Sequence, residues 1–225
     1  ITGYLDLLRH GRADPPSPGQ LEMLNRMERA ERMVLSVIND FTDLARLEAG
    51  RVSYSTRPVR AADVMAMAED VVAPLAKRQG VHLDVLPPLE EVIALADPTK
   101  CGQVLINLLT NAIKFTPAGG VVCLVARQDA GHVWFDVADT GPGIPRDKLS
   151  AIFDPYVQLE RRVPRELAGC GLGLAIGREF ARGMQGEITV RSVVGKGSTF
   201  RLRLRRYQRA RAAQVRERAR RAPAR

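Results

Sequence analysis

No proline or glycine interrupts the chain from Gln20 to about Glu48, and helix formers dominate the stretch. Met23, Met27, Ala30, Val34, Val37, Phe41 and Leu44 follow alternating steps of four and three, a heptad seam. Leu24, Leu35, Ile38 and Ala45 form a second apolar set beside it. The preceding segment Gly11 to Gly19 (GRADPPSPG) reads as a turn, because its prolines cannot continue a helix. Residues 1–10 (ITGYLDLLRH) read as the end of an earlier helix. A helical hairpin alone buries too little surface to be stable. Dimerisation into a four-helix bundle covers both apolar stripes; the alternative is a helix packed on its own globular domain.

Gly50 ends this helix, and Arg51 to Val59 reads as a linker with strand-like stretches. A helix follows over 61–79, with Pro74 expected to kink or divide it. Short strands follow at Val81–Leu86 and Val92–Ala96. Asp97-Pro98 is a helix start, with Asp as N-cap and Pro in the first turn, and this helix runs to about Phe115. Val121–Arg127 and His132–Asp139 read as a strand pair joined through Asp129-Ala-Gly. A short helical piece is expected near Arg146–Phe153, a helix over Leu172 to Met184, and a final hairpin from Glu187–Val194 and Thr199–Arg205. A mostly antiparallel sheet with helices on one face is an α+β two-layer domain.

Residues 201–225 hold eleven arginines and a single acid, Glu217, so the net charge of +9 belongs to this end and the rest is nearly neutral. The basic pI is therefore no argument for a nucleic-acid-binding domain. The longest apolar run, Val121 to Ala126, is far short of the ~20 residues of a membrane helix, and no signal-peptide pattern opens the chain. Cys101, Cys123 and Cys170 form no CxxC pair and read as reduced thiols.

Three segments carry chemistry. Asn107, Asn111 and Lys114, spaced by four and three, share one helix face opposite Leu105, Leu108, Leu109 and Ala112. Such amides and an ammonium suit a hard cation and a phosphate, or else form a solvated polar face. Asp139-Thr-Gly-Pro-Gly-Ile144 follows a strand. Its glycines permit close backbone approach to a ligand, and its Asp can accept from an amine, or simply lead a surface turn. Gly169-Cys-Gly-Leu-Gly-Leu174 enters a helix with backbone amides free for an anion. It is neither a Walker loop nor a dinucleotide fingerprint.

Taken in order, these segments resemble the catalytic half of bacterial sensor histidine kinases, members of the GHKL ATPase superfamily. QVLINLLTNAIKFTP (103–117) is similar to the N box, DTGPGI (139–144) to G1, IFDPY (152–156) to the F box, GCGLGLAI (169–176) to G2 and GKGSTF (195–200) to the last glycine motif. ITGYLDLL resembles the stretch after the family's phosphoacceptor box, and INDFTDLARLEAG (38–50) the end of its second hairpin helix. The likeness covers roughly residues 1–205.

The resemblance implies a dimerisation hairpin over 1–50 that forms a dimeric four-helix bundle. A linker at 51–59, a two-layer α/β sandwich ATP-binding domain at 60–205 and an arginine-rich tail at 206–225 would follow. It implies ATP and magnesium as ligands, with Asn111 at the metal, Asn107 on the phosphate side, Lys114 on phosphate and Phe115 near the nucleotide. Asp139 would receive the adenine amino group, and Gly141 and Gly143 would let the chain pass the base. Gly169, Gly171, Leu172 and Gly173 would shape the phosphate-side loop, and Val157–Ala168 the lid, from which Arg161, Arg162 or Arg165 reaches the γ-phosphate. Thr199 would line the adenine pocket.

The resemblance further implies a cytoplasmic homodimer that passes phosphate to a response-regulator receiver domain, with no specific nucleic acid and no membrane span. The family's phosphoacceptor histidine aligns about nine residues before Ile1, so none of His10, His82 and His132 is the acceptor. Cys170 replaces a hydroxyl residue frequent in G2, and Tyr156 stands where Phe is frequent. These departures leave a second reading, a dimeric scaffold with a decayed nucleotide site. A third is nonspecific nucleic-acid binding through the arginine tail. A GHKL chaperone, topoisomerase or mismatch-repair ATPase is disfavoured by the hairpin.

Overall fold

The computed structural model of the chain describes residues 16–158 and 170–208. The first hairpin helix, Gly169, the lid residues Arg161, Arg162 and Arg165, and most of the arginine tail lie outside the described residues. The chain separates into two compact units. One includes the described residues 16–52, 150–158 and 170–176, and the other 53–149 and 177–208.

In the first unit, helix α1 (Pro18–Glu48) begins inside the segment expected to be a turn. Ser17 is its N-cap, and a reciprocal capping box joins Ser17 and Gln20: the Gln20 side chain accepts from Ser17 N at 2.8 Å. Pro18 fits because a first-turn N–H has no helical acceptor to lose. Gly50, at φ +63°, follows the end of the helix. Of the α1 side chains that are described, only Leu24 is buried, whereas Met23 is 60% and Phe41 62% exposed.

The second unit opens with β1 (Arg57–Arg60), which pairs antiparallel with β3 (Ile93–Ala96). The end of the expected linker is therefore part of the sheet. Helix α2 (Ala61–Gln79) follows without interruption at Pro74, and Gly80 caps it at φ +66°. Then come β2 (His82–Leu86), β3, helix α3 (Pro98–Phe115), β4 (Val121–Gln128) and β5 (His132–Asp139). Instead of one helical piece after β5 there are two 3₁₀ turns, Arg146–Lys148 and Ala151–Phe153. Helix α4 (Gly173–Gly183), whose residues 173–176 belong to the first unit, β6 (Glu187–Val193) and β7 (Gly197–Arg206) are the last described elements.

The sheet order is β1-β3-β7-β5-β4-β2, with β6 also on β7. Among the described residues only β2–β4 is parallel. β6 pairs with Gly197–Arg203 of β7, and β3 takes the last two residues, Arg205 and Arg206, so both can share one strand.

Strand alternation sends Val122, Leu124, Val133, Phe135, Val137, Leu202 and Leu204 into the core. Helices α2 and α3 pack together and cover this face with Val64, Met65, Val72, Leu105, Leu108, Leu109 and Ile113, all at most 3% exposed. Where they meet, the end of the Met67 side chain lies over Gly102, in the space a Cβ there would take. Cys101 lies in this core, where burial pushes its thiol up to about 12 and leaves it an inert apolar residue. On the opposite face Arg201 grips the buried Asp136 with two hydrogen bonds of 2.6 and 2.7 Å, which offset the cost of burying the carboxylate. Among the described residues no helix is long and apolar enough to cross a membrane.

Candidate nucleotide-binding site

Helix α3 starts where Asp97 Oδ1 accepts from Thr99 N at 3.0 Å and Lys100 N at 3.1 Å. From that origin the spacing carries Asn107, Asn111 and Lys114 to a half-buried face, while Leu105, Leu108 and Leu109 point into the core. Asn111 Nδ2 donates to Asn107 Oδ1 at 3.3 Å. Asn111 Oδ1 then has no donor among the described residues and remains available to a ligand. Phe115, at the end of the helix, is 45% exposed.

Asp139 ends β5 beside this helix terminus. Its Oδ1 accepts from Gly141 N at 2.9 Å and Ser198 N at 3.2 Å, and its Oδ2 has no hydrogen bond among the described residues. Burial raises the Asp139 pKa above the usual carboxylate range, against the two backbone amides, which lower it. A half-buried carboxylate with one oxygen fixed and the other open is built to receive one donor.

The glycines after Asp139 are needed for close approach. A Cβ on Gly141 would lie 2.8 Å from Asp139 Oδ1 and 3.1 Å from the Phe115 carbonyl, so only glycine lets the turn pass the end of α3. Gly143, at φ +71°, lies against the Val193 backbone. Gly195 N donates to Pro142 O at 2.8 Å and Ile144 N to Ser192 Oγ at 2.7 Å. The turn carrying Asp139 is thus pinned to the β6–β7 hairpin on one side and touches the helix bearing Asn111 and Lys114 on the other.

Thr199 borders the same cavity as Asp139, but Ser198 is the residue paired with it. In the register Asp139 faces Ser198, and Thr199 faces Ala138. Paired residues share a face and neighbours alternate, so Thr199 points to the face opposite Asp139. Both residues border a shallow cavity of about 230 Å³ along the hairpin, but Ser198 is the one bonded to the carboxylate. The sequence did contain the signal: Phe200 is a core residue, and Ser198 is its same-face neighbour.

In the other unit, Tyr156 N donates to Gly171 O at 3.1 Å. Gly171 has φ +72°, and a Cβ there would lie 3.0 Å from the Tyr156 and Val157 backbones, so G2 and the F-box segment meet main chain to main chain. Tyr156 itself holds φ +65°, an uncommon conformation for an aromatic residue. Leu172 is buried, and its carbonyl accepts the bond from Ile176 N at 2.9 Å that opens α4, one residue later than expected. Gly171 and Gly173 are half-buried, and Cys170 is a free, half-buried thiol.

No group of three His, Cys, Asp or Glu residues that could hold a metal occurs among the described residues. Magnesium does not require one: it usually keeps several waters and shares the remaining positions between protein oxygens and phosphates. The open Asn111 Oδ1 fits that pattern.

Residues 96–208 match the family described as histidine kinase-, DNA gyrase B-, and HSP90-like ATPase. The chain belongs to that family, and its catalytic domain is of the sensor histidine kinase type. It is 32% identical over 206 residues to the autoinducer 2 sensor kinase/phosphatase LuxQ of Vibrio parahaemolyticus, a match covering 89% of this chain and 24% of the relative. Against the aerobic respiration control sensor protein ArcB of Escherichia coli K12 it is 36% identical over 170 residues, covering 74% of this chain and 22% of ArcB. The chain thus spans about a quarter of the length of these relatives. The crystal structure of full-length ShkA in complex with AMPPNP superposes with a TM-score of 0.72 at 30% identity, over 92% of this chain and 43% of ShkA.

Proposed function

We propose that this chain is the dimerisation and nucleotide-binding core of a protein-histidine kinase. It holds ATP with magnesium and presents the γ-phosphate to a histidine outside this chain. The phosphate then passes to an aspartate of a response-regulator receiver domain. The observation that carries the reading is Asp139: one carboxylate oxygen held by two backbone amides and the other open, at the end of the helix that bears Asn107, Asn111 and Lys114.

Asp139 Oδ2 accepts from the adenine amino group, while Gly141 and Gly143 keep side chains out of the space beside the base. Ser198 joins Thr199 as a β7 residue of the pocket. Asn111 and Asn107 offer amide oxygens to magnesium, which when bound neutralises and orients the phosphates. Lys114 adds positive charge, and Phe115 packs beside the nucleotide. The resemblance assigns the phosphate oxygens to backbone amides around Gly169, Gly171, Leu172 and Gly173, and the γ-phosphate to Arg161, Arg162 or Arg165. Transfer needs positioning and charge neutralisation more than covalent chemistry from the protein. The accepting imidazole is neutral near pH 7, as its reference pKa of about 6.5 requires.

Dimerisation through α1 is supported by its exposed seam, which includes Met23, Met27, Val34 and Phe41. Calorimetric titration with ATP, with and without magnesium, tests the assignment. Saturable one-site binding is expected, with a magnesium dependence that Asn111→Ala removes. No binding, or binding indifferent to both, overturns it.

A further inference from the structure

The segment 53–56, part of the stretch expected to be a linker with strand-like stretches, is tied to the end of one helix and the start of another. The Tyr54 ring lies across Gly183 so closely that a Cβ there would collide with it, and Tyr54 Oη donates to the Glu179 carbonyl at a long 3.5 Å. Both contacts are on the C-terminal half of α4. The next residue, Ser55, donates its backbone N–H to Asp97 Oδ2 at 2.9 Å. Asp97 is 8% exposed, and its other oxygen caps α3, so one carboxylate serves the helix start and the linker together.

The two helices also meet directly. Lys100 Nζ of α3 lies 4.0 Å from the centroid of the Phe180 ring of α4. Further along, a Cβ on Gly177 would lie 3.4 Å from Asn107 Nδ2. The contacts run in one direction, from the linker to Gly183 and Asp97, then Phe180 on Lys100, then Gly177 beside Asn107, whose Oδ1 holds Asn111.

We propose that Tyr54, Ser55 and Asp97 are positioning residues for the nucleotide site: they strap α4 onto α3 and so set where the Asn107–Asn111 pair stands for the cation and phosphates. The proposal rests on the function assigned above. It makes the chain leaving α1 a physical input to nucleotide affinity, since anything that draws residues 53–56 away releases α4 from α3.

Two variants release the strap by different routes. Ser55→Pro removes the N–H that Asp97 accepts and also fixes the backbone at position 55, and Ser55→Ala is its control because it changes the side chain and keeps that donor. Gly183→Ala displaces the Tyr54 ring, yet it suits the helix, since Gly183 is not among the positive-φ glycines. The intact chain is measured by ATP calorimetry and by hydrogen exchange at the first turn of α3, the amides of residues 99–101.

Ser55→Pro and Gly183→Ala are expected to accelerate exchange there and to weaken ATP binding about 5- to 10-fold, with Ser55→Ala matching wild type. Equal behaviour of Pro and Ala at position 55, or wild-type exchange and affinity in Gly183→Ala, overturns the proposal. Should wild type bind no ATP, the assigned function fails, and exchange at residues 99–101 still decides the strap.

Discussion

Helices α1 and α3 carry similar apolar spacing and meet opposite fates. In α3 the apolar residues are buried within the domain, with Leu105 and Leu109 at 0% exposure, and the residual polar face is the one we assign to the nucleotide. In α1 the seam stands open, with Val34 at 56% and Phe41 at 62% exposure. Periodicity reports that a face needs covering, but not what covers it. For α3 the sheet and α2 supply the cover, whereas for α1 we assign that role to further helices of a dimeric bundle.

The contrast is open to attack at both ends. The largest effect falls in α3: Leu109→Ala removes packed methyl groups and is expected to cost about 2–5 kcal/mol, read from the urea midpoint. A cost below ~1 kcal/mol would mean that the α3 face is not the core it looks to be. In α1, Phe41→Asp is expected to weaken self-association by about 1.5–3 kcal/mol per chain while ATP affinity stays unchanged, measured by sedimentation beside calorimetry. An unaltered dimer would assign the seam to some other contact.

A smaller effect concerns Asp139. Its pKa is raised by burial, so the folded chain keeps this proton to higher pH than the unfolded chain does. Ionisation therefore opposes folding as pH rises from the unfolded value through the folded one. Asp139→Asn, which cannot ionise, should keep or raise the thermal midpoint at pH 7 even though it damages the site. In wild type, ATP affinity should fall as pH drops through the raised pKa, because the neutral carboxyl is the weaker acceptor. The smallest effect is for Met27→Ala in the Phe41→Asp background, within ~0.5 kcal/mol in unfolding, since without a partner its side chain is already 48% exposed.

Local chemistry made much of this legible in the sequence. Strand β5 has the bounds expected from its alternation, and the Asp97-Pro98 cap starts α3 where N-cap preference puts it. The Asn107, Asn111 and Lys114 face follows from helical geometry alone. What escaped depends on partners distant in the chain. Thr199 and Ser198 are told apart by the strand register against Ala138 and Asp139. The strap joins Ser55 to Asp97 through a backbone donor, which leaves no mark on residue choice at position 55. At Ser17 the cap was written in S-P-G-Q, but the neighbouring prolines made it read as a turn.

The central claim is that Asp139 reads the adenine amino group. It is tested most directly by titrating wild type and Asp139→Asn with ATP and with the purine ribonucleoside triphosphate that lacks the 6-amino group. Wild type should prefer ATP by about 1.5–3 kcal/mol, the worth of a charged hydrogen bond, and the variant should lose that preference. Equal affinity of wild type for both nucleotides, or an undiminished preference in Asp139→Asn, would contradict the account.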